Sequence, residues 1–325
     1  MTTKNLIFKV ARFNNEANGS DLQSLLTSAL KSKSAALSRR QSTDHEGRFR
    51  LINYNGPFKG LRVGEMFDYT RGHQQPTAEF DDDAEQLELS SIAPPGDKTE
   101  FLHSILYFGI QGNAVILAQS TSLKSLQFEE YVNWLLREEG VLSDEDFVAL
   151  CDQPPIEKEK ELGNTKGIEV KAPVDLSPSK TPAPRVSGEI SDTKSISLKP
   201  SGSAWEALRT LLPAEINLPS KLSASDIMRE RSLEVRLFLT WSNNQKDDST
   251  ELMDDISNQL RHVDSELDYT IHTRSGKITR DEIKLKKPVS VPTNSKGLIR
   301  RDEMWERIKN WLNELVSDDK IVIDA

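Results

Sequence analysis

The chain has 325 residues, with 51 acidic side chains against 42 basic ones and a formal charge of -9. That balance argues against a protein whose main task is to coat a nucleic-acid backbone, which calls for an excess of positive charge. A single cysteine, Cys151, excludes a disulfide framework and argues against a cysteine-based metal centre.

Taken in chain order, Leu6 to Phe13 predicts an opening strand. A helix follows, with Leu22, Leu25, Leu26, Ala29 and Leu30 at helical spacing. Ser20 is its candidate cap, and the helical pattern can run on through Leu37. The later part of this segment is basic, with Lys31, Lys33, Arg39 and Arg40. It reads first as a helix end that favours positive charge, and second as a phosphate-contacting edge. Arg48 to Tyr54 predicts another strand, whereas Leu61 to Tyr69 fits a strand or a helix. The acidic run Asp81, Asp82, Asp83 precedes a punctuated loop at Ile92 to Gly96. Phe101 to Ile110 and Asn113 to Ala118 read as a hairpin turning at Gly112-Asn113. Phe128 to Leu136 reads as a helix, and Phe147, Val148 and Leu150 as a small apolar cluster.

Composition changes at Pro154-Pro155. Prolines then recur among Ser, Thr, Lys and Gly, and the isolated Ile168 and Val170 could form a short strand. Too few apolar side chains are present to fix this stretch, so residues 154–200 are expected to be a flexible linker. It would separate an N-terminal α+β domain (1–153) from a C-terminal one (201–325).

The C-terminal segment gives the clearest order of elements. Leu233 to Leu239 predicts a strand, and Leu252, Ile256, Leu260 and Val263 predict a helix. Leu267, Tyr269 and Ile271 alternate as a second strand, which turns at Ser275-Gly276. Ile283 to Val291 predicts a third strand, which Pro288 places at a sheet edge or bends. Met304, Ile308, Trp311, Leu312 and Leu315 make the stripe of a second helix, and Lys320 to Ile323 a closing strand. This order, βαββαβ, is that of a ferredoxin-like unit. The N-terminal half has a similar texture, which suggests a larger related unit there. Two such units resemble the tandem ferredoxin-like RNA-processing proteins of prokaryotic defence systems. Their glycine-rich loop is not recognisable here, and the resemblance assigns no residue.

Chemistry is sparse. His45, His73, His103, His262 and His272 show no metal-ligand spacing, and His103 reads as a satisfied sheet residue. His272 is the catalytic candidate, because Arg274, Lys277 and Arg280 follow it and could hold a phosphate. Asp81, Asp82 and Asp83 are the metal candidates, since carboxylate oxygens suit hard cations. No glycine cluster has the spacing of a phosphate-binding loop or a dinucleotide fingerprint. Lys284, Lys286, Lys287, Lys296, Arg300 and Arg301, with Arg274, Lys277 and Arg280, form the candidate nucleic-acid patch.

The leading expectation is a non-enzymatic binding or assembly protein of the cytoplasm, such as a subunit of a prokaryotic complex, needing no cofactor. Its partner would be another protein or a second copy of itself. The alternatives are a nucleic-acid-binding protein, in RNA processing or phage defence, and a metal-dependent nuclease. No membrane partner is expected, because the longest apolar-rich region, Ile105 to Ala118, is interrupted by Gly109, Gln111, Gly112 and Asn113.

Overall fold

The computed structural model describes residues 1–15, 21–43, 47–78, 89–96, 98–153, 155–156, 165–173, 175–178, 197–201, 222–223, 234–240, 268–273, 276–279, 282 and 284–323. Strand β1, Thr2–Phe13, opens the chain. Helix α1, Leu22–Ser32, is capped by Asp21, whose Oδ1 accepts the Ser24 N–H at 2.7 Å. The expected cap, Ser20, lies outside the described residues. The helix also stops before Leu37: Ser32 Oγ turns back onto the Ala29 carbonyl at 2.8 Å, and Ala36–Arg39 forms a separate 3-10 turn. The polar run after Leu30 offers nothing to bury, so continuing the helix would gain little.

Two short residues of β2, Gln41–Ser42, precede β3, Arg48–Phe58, and β4, Leu61–Thr70. Lys59 and Gly60 both have positive φ, 47° and 86°, which fits the tight hairpin turn between β3 and β4. That turn settles 61–69 as a strand. Strands β5, Gln75–Ala78, and β6, Leu89–Ile92, pair with each other and, among the described residues, with no other strand. The hairpin of β7, Leu102–Gln111, and β8, Ala114–Ala118, turns where expected, with Gly112 at φ 58°. Helix α2, Ser125–Glu138, and strand β9, Val148–Cys151, follow.

The middle of the chain is a unit of its own, Glu157–Ile283. Its described strands are β10 (Thr165–Pro173), β11 (Asp175–Pro178), β12 (Ser197–Ser201), β13 (Leu222–Ser223), β14 (Glu234–Thr240), β15 (Asp268–Thr273) and β16 (Lys277–Thr279). One sheet runs in the order β14-β10-β15-β16, and another in the order β11-β12-β13. β10 takes in Ile168 and Val170, within the stretch expected to be a linker. Isolated apolar residues suffice there because antiparallel neighbours on both sides satisfy the strand's backbone. The helix expected from Leu252 to Val263 lies outside the described residues.

The last segment returns to the other unit, which comprises Met1–Ile156 and Lys284–Ala325. Strand β17, Lys286–Val291, pairs antiparallel with the first half of β1, from Thr2↔Val291 to Ile7↔Lys286. Strand β9 takes the second half of the same strand, from Val10↔Cys151 to Phe13↔Val148. The full order is β17-β1-β8-β7-β4-β3-β2, antiparallel throughout.

Alternation along the strands divides this sheet into two apolar faces. Leu106, Phe108 and Ile110 join Val115 and Leu117 on one face, under α1 and α2. Leu6, Phe8, Val63, Tyr107 and Ile116 form the other face. It is covered by helix α3, Arg301–Ser317, through Met304, Trp305, Ile308, Trp311, Leu312 and Leu315. The protein is thus a mixed α+β fold whose large sheet carries helices on both faces. The expected ferredoxin-like grouping over Leu233–Ile323 is divided, since its third strand and second helix complete the N-terminal sheet. Lys320–Ile323 is not a strand; the Lys320 and Ile321 N–H groups bond the Leu315 carbonyl and close α3, with Ile321 buried.

Candidate functional site

The polar features of the larger unit converge on an irregularity in β3. Ile52 pairs with Met66 and Tyr54 with Glu65, which leaves Asn53 as an extra, unpaired residue. Such a bulge interrupts the ladder and redirects the side chains around it. Asn53 serves both faces of the sheet. Its carbonyl accepts from Arg39 Nη2 at 3.2 Å, and its side-chain amide donates to Glu65 Oε1 at 2.6 Å.

On the α3 face, Glu65 also meets the Arg301 guanidinium at 3.4 Å. Arg301 lies 4.8 Å from the centre of the Tyr54 ring, and Tyr54 stacks on Trp305 with centroids 5.0 Å apart. Tyr107 is buried beside this group. Burial, and after it the Glu65 charge, push its hydroxyl up to about 12, while Arg301 opposes the shift.

The other face carries arginines. Arg50 pairs with Glu130 at 2.8 Å, and Arg48 forms a bidentate contact with the buried carboxylate of Asp68, at 2.9 and 2.6 Å. Arg39 and Arg62 differ. Arg39 is only 4% exposed, and its Nε and Nη1 have no hydrogen-bond partner among the described residues. Arg62 donates from Nη2 to Asn55 Oδ1, while its buried Nε also lacks a partner. Burial lowers the pKa of both groups. At Arg39, Tyr131 opposes that shift and the Arg62 charge adds to it. Tyr131 anchors this corner: its hydroxyl donates to the Arg39 carbonyl at 2.6 Å and accepts the Ile52 N–H at 3.1 Å.

Several members of the expected C-terminal patch face carboxylates. Lys284 and Lys9 share Asp152, at 3.5 and 2.7 Å; Lys287 pairs with Glu314; Arg301 faces Glu65. Lys286, Lys296 and Arg300 are exposed. Lys277 begins β16 in the middle unit, and Arg274 and Arg280 lie outside the described residues. His272 is held by Glu169, with Nε2 and Oε2 3.1 Å apart. Asp81, Asp82 and Asp83 lie outside the described residues, and no group of three metal-ligating side chains occurs among the described ones. His103 is a sheet residue, but an exposed one: it is the extra residue of a bulge in β7, where Asp68 pairs with Ser104 and Tyr69 with Leu102. Its Nε2 lies 3.0 Å from Thr70 Oγ1, and its ring meets His73 edge-on.

The arginine corner was partly visible in the basic run ending at Arg39 and Arg40. Arg62 was passed over because a lone arginine in a strand carries no motif. The β5–β6 ribbon was missed as well. Leu89 is 83% exposed and Ile92 50% exposed. Thr77 Oγ1 and Ser90 Oγ are 2.7 Å apart across the ribbon, and Ser91 Oγ donates to Gln74 Oε1 at 2.6 Å.

No protein-family model matches the chain, and no curated protein matches it. No described helix is long and apolar enough to cross a membrane.

Proposed function

We propose that this is a non-enzymatic assembly protein of the cell interior whose β5–β6 ribbon binds the same ribbon of a second copy. The observation that carries the reading is the exposure of Leu89 and Ile92 on a two-stranded ribbon. A ribbon of that size is marginal in water unless something packs against it. Strand β6 reads Leu-Ser-Ser-Ile, without charge or proline. Exposed edges normally carry one or the other to prevent pairing. Pro76 on β5 blunts the opposite edge, so β6 is the edge left for association. Antiparallel pairing of β6 with its own copy makes a closed, two-fold contact and a four-stranded sheet.

Light scattering of the eluting full-length chain over a range of concentrations tests this. The expected mass is twice that of the chain, falling to one chain mass when Leu89 and Ile92 are both replaced by lysine. A monomer at all concentrations, or a double-lysine variant that stays dimeric, overturns the reading.

The nucleic-acid alternative through the C-terminal cations has less behind it. Lys284, Lys287 and Arg301 each face a carboxylate, so their charge is largely spent within the protein.

A further inference from the structure

We infer that Arg39 and Arg62 form a binding site for a phosphate-type oxyanion. The inference is independent of the ribbon and rests on a contrast within one corner of the fold. Arg48, Arg50 and Arg301 each have a carboxylate, on Asp68, Glu130 and Glu65. Among the described residues neither Arg39 nor Arg62 has one, although Arg39 is the most deeply buried of the five.

Burying a charge without a counter-charge is costly, and placing a second cation near it raises the cost further. Proteins accept such an arrangement where an anion completes it. The nitrogen atoms left without acceptors are Nε and Nη1 of Arg39 and Nε of Arg62. Guanidinium donors of this kind match the oxygens of phosphate or a phosphomonoester in direction as well as charge.

The donors are held in place before any ligand arrives. The Arg39 backbone is fixed by Tyr131, its Nη2 by the bulge carbonyl of Asn53, and Arg62 by Asn55. Arg62 is half-buried as a residue, and both arginines bond to asparagines of the same strand, Arg39 to Asn53 and Arg62 to Asn55. The bulge therefore has a role: its Asn53 carbonyl occupies one Arg39 nitrogen, while Nε and Nη1 are left without a partner among the described residues.

The test uses the full chain and follows thermal unfolding and heat of binding on adding inorganic phosphate, against potassium chloride at matched ionic strength. The expected result is saturable stabilisation by phosphate that chloride does not reproduce. Arg62→Gln should weaken phosphate binding at least tenfold while keeping the wild-type circular dichroism spectrum. Arg71→Gln, at an exposed arginine elsewhere in the unit, should leave binding unchanged. A short oligonucleotide with and without a 5′-phosphate separates the sources. Tighter binding of the phosphorylated form than of phosphate itself points to a phosphoester end, and equal binding to the free anion. Absence of a phosphate-specific effect overturns the site. So does an Arg62→Gln variant with wild-type affinity, or equal losses in Arg62→Gln and Arg71→Gln.

Discussion

Two tyrosines show how much the larger unit depends on single hydroxyl groups. Tyr131 OH is fully buried, donating to the Arg39 carbonyl and accepting from the Ile52 N–H. Tyr131→Phe keeps the ring packing but leaves both backbone groups without that partner. It is expected to cost about 1–3 kcal/mol, read from denaturant unfolding. Tyr107 makes a pH prediction instead. Its hydroxyl titrates near 10 when unfolded and at about 12 in the fold, so the folded state holds the proton more tightly. The resulting stability is complete below pH 10 and is lost as pH rises toward 12. Unfolding curves between pH 9 and 12 should therefore fall less steeply for Tyr107→Phe than for the wild type. Neither role is legible in sequence, since a tyrosine at a strand or helix position reads as generic core. What distinguishes these two is which polar groups the tertiary fold brings against them.

Helix α3 packs closely on strand β7 at Gly109. A Cβ on Gly109 would lie 2.6 Å from Ile308 Cγ2 and 3.3 Å from Leu61 Cδ1. Gly109→Ala should push α3 off the sheet and destabilise the unit by about 1–3 kcal/mol, the usual cost of overpacking. Tryptophan fluorescence provides a readout, because Trp305 and Trp311 of α3 are both buried and Trp305 stacks on Tyr54. Both elements were readable from their patterns. The apolar run of β7, the turn at Gly112 and the α3 stripe at Met304, Ile308 and Leu315 each carry their own periodicity. Their contact was not readable, because periodicity gives the face of a helix and says nothing of the surface it covers. The same limit applies to β10: two isolated apolar residues are a weak signal, and the strand is made by neighbours far away in the chain.

Chain order and spatial order part company most clearly in the larger unit. Its sheet is begun by β1 and finished at one edge by β17, with the residues of the other unit inserted between Ile156 and Lys284. A contiguous boundary near 153 differs from this division, in which residues 284–325 group with the N-terminal sheet. Chain order alone groups β17 and α3 with the middle unit, because they follow its predicted helix and strands in a familiar order. The energetic consequence is large. Six apolar side chains of α3 are buried on one face of the sheet. At roughly 1.5–3 kcal/mol for each fully buried apolar side chain, their loss removes on the order of 10 kcal/mol. That equals the whole net stability of a typical domain. A fragment of residues 1–156 should accordingly fail to fold cooperatively and should bind a hydrophobic dye through its uncovered face. Residues 1–156 joined to 284–325 by a flexible glycine-serine linker should fold, with a sigmoidal thermal transition and a buried Trp305. If 1–156 alone gives that sharp transition, the sheet does not need its second layer. If the linked fragment stays unfolded, the inserted residues contribute more to the unit than its own two cores do.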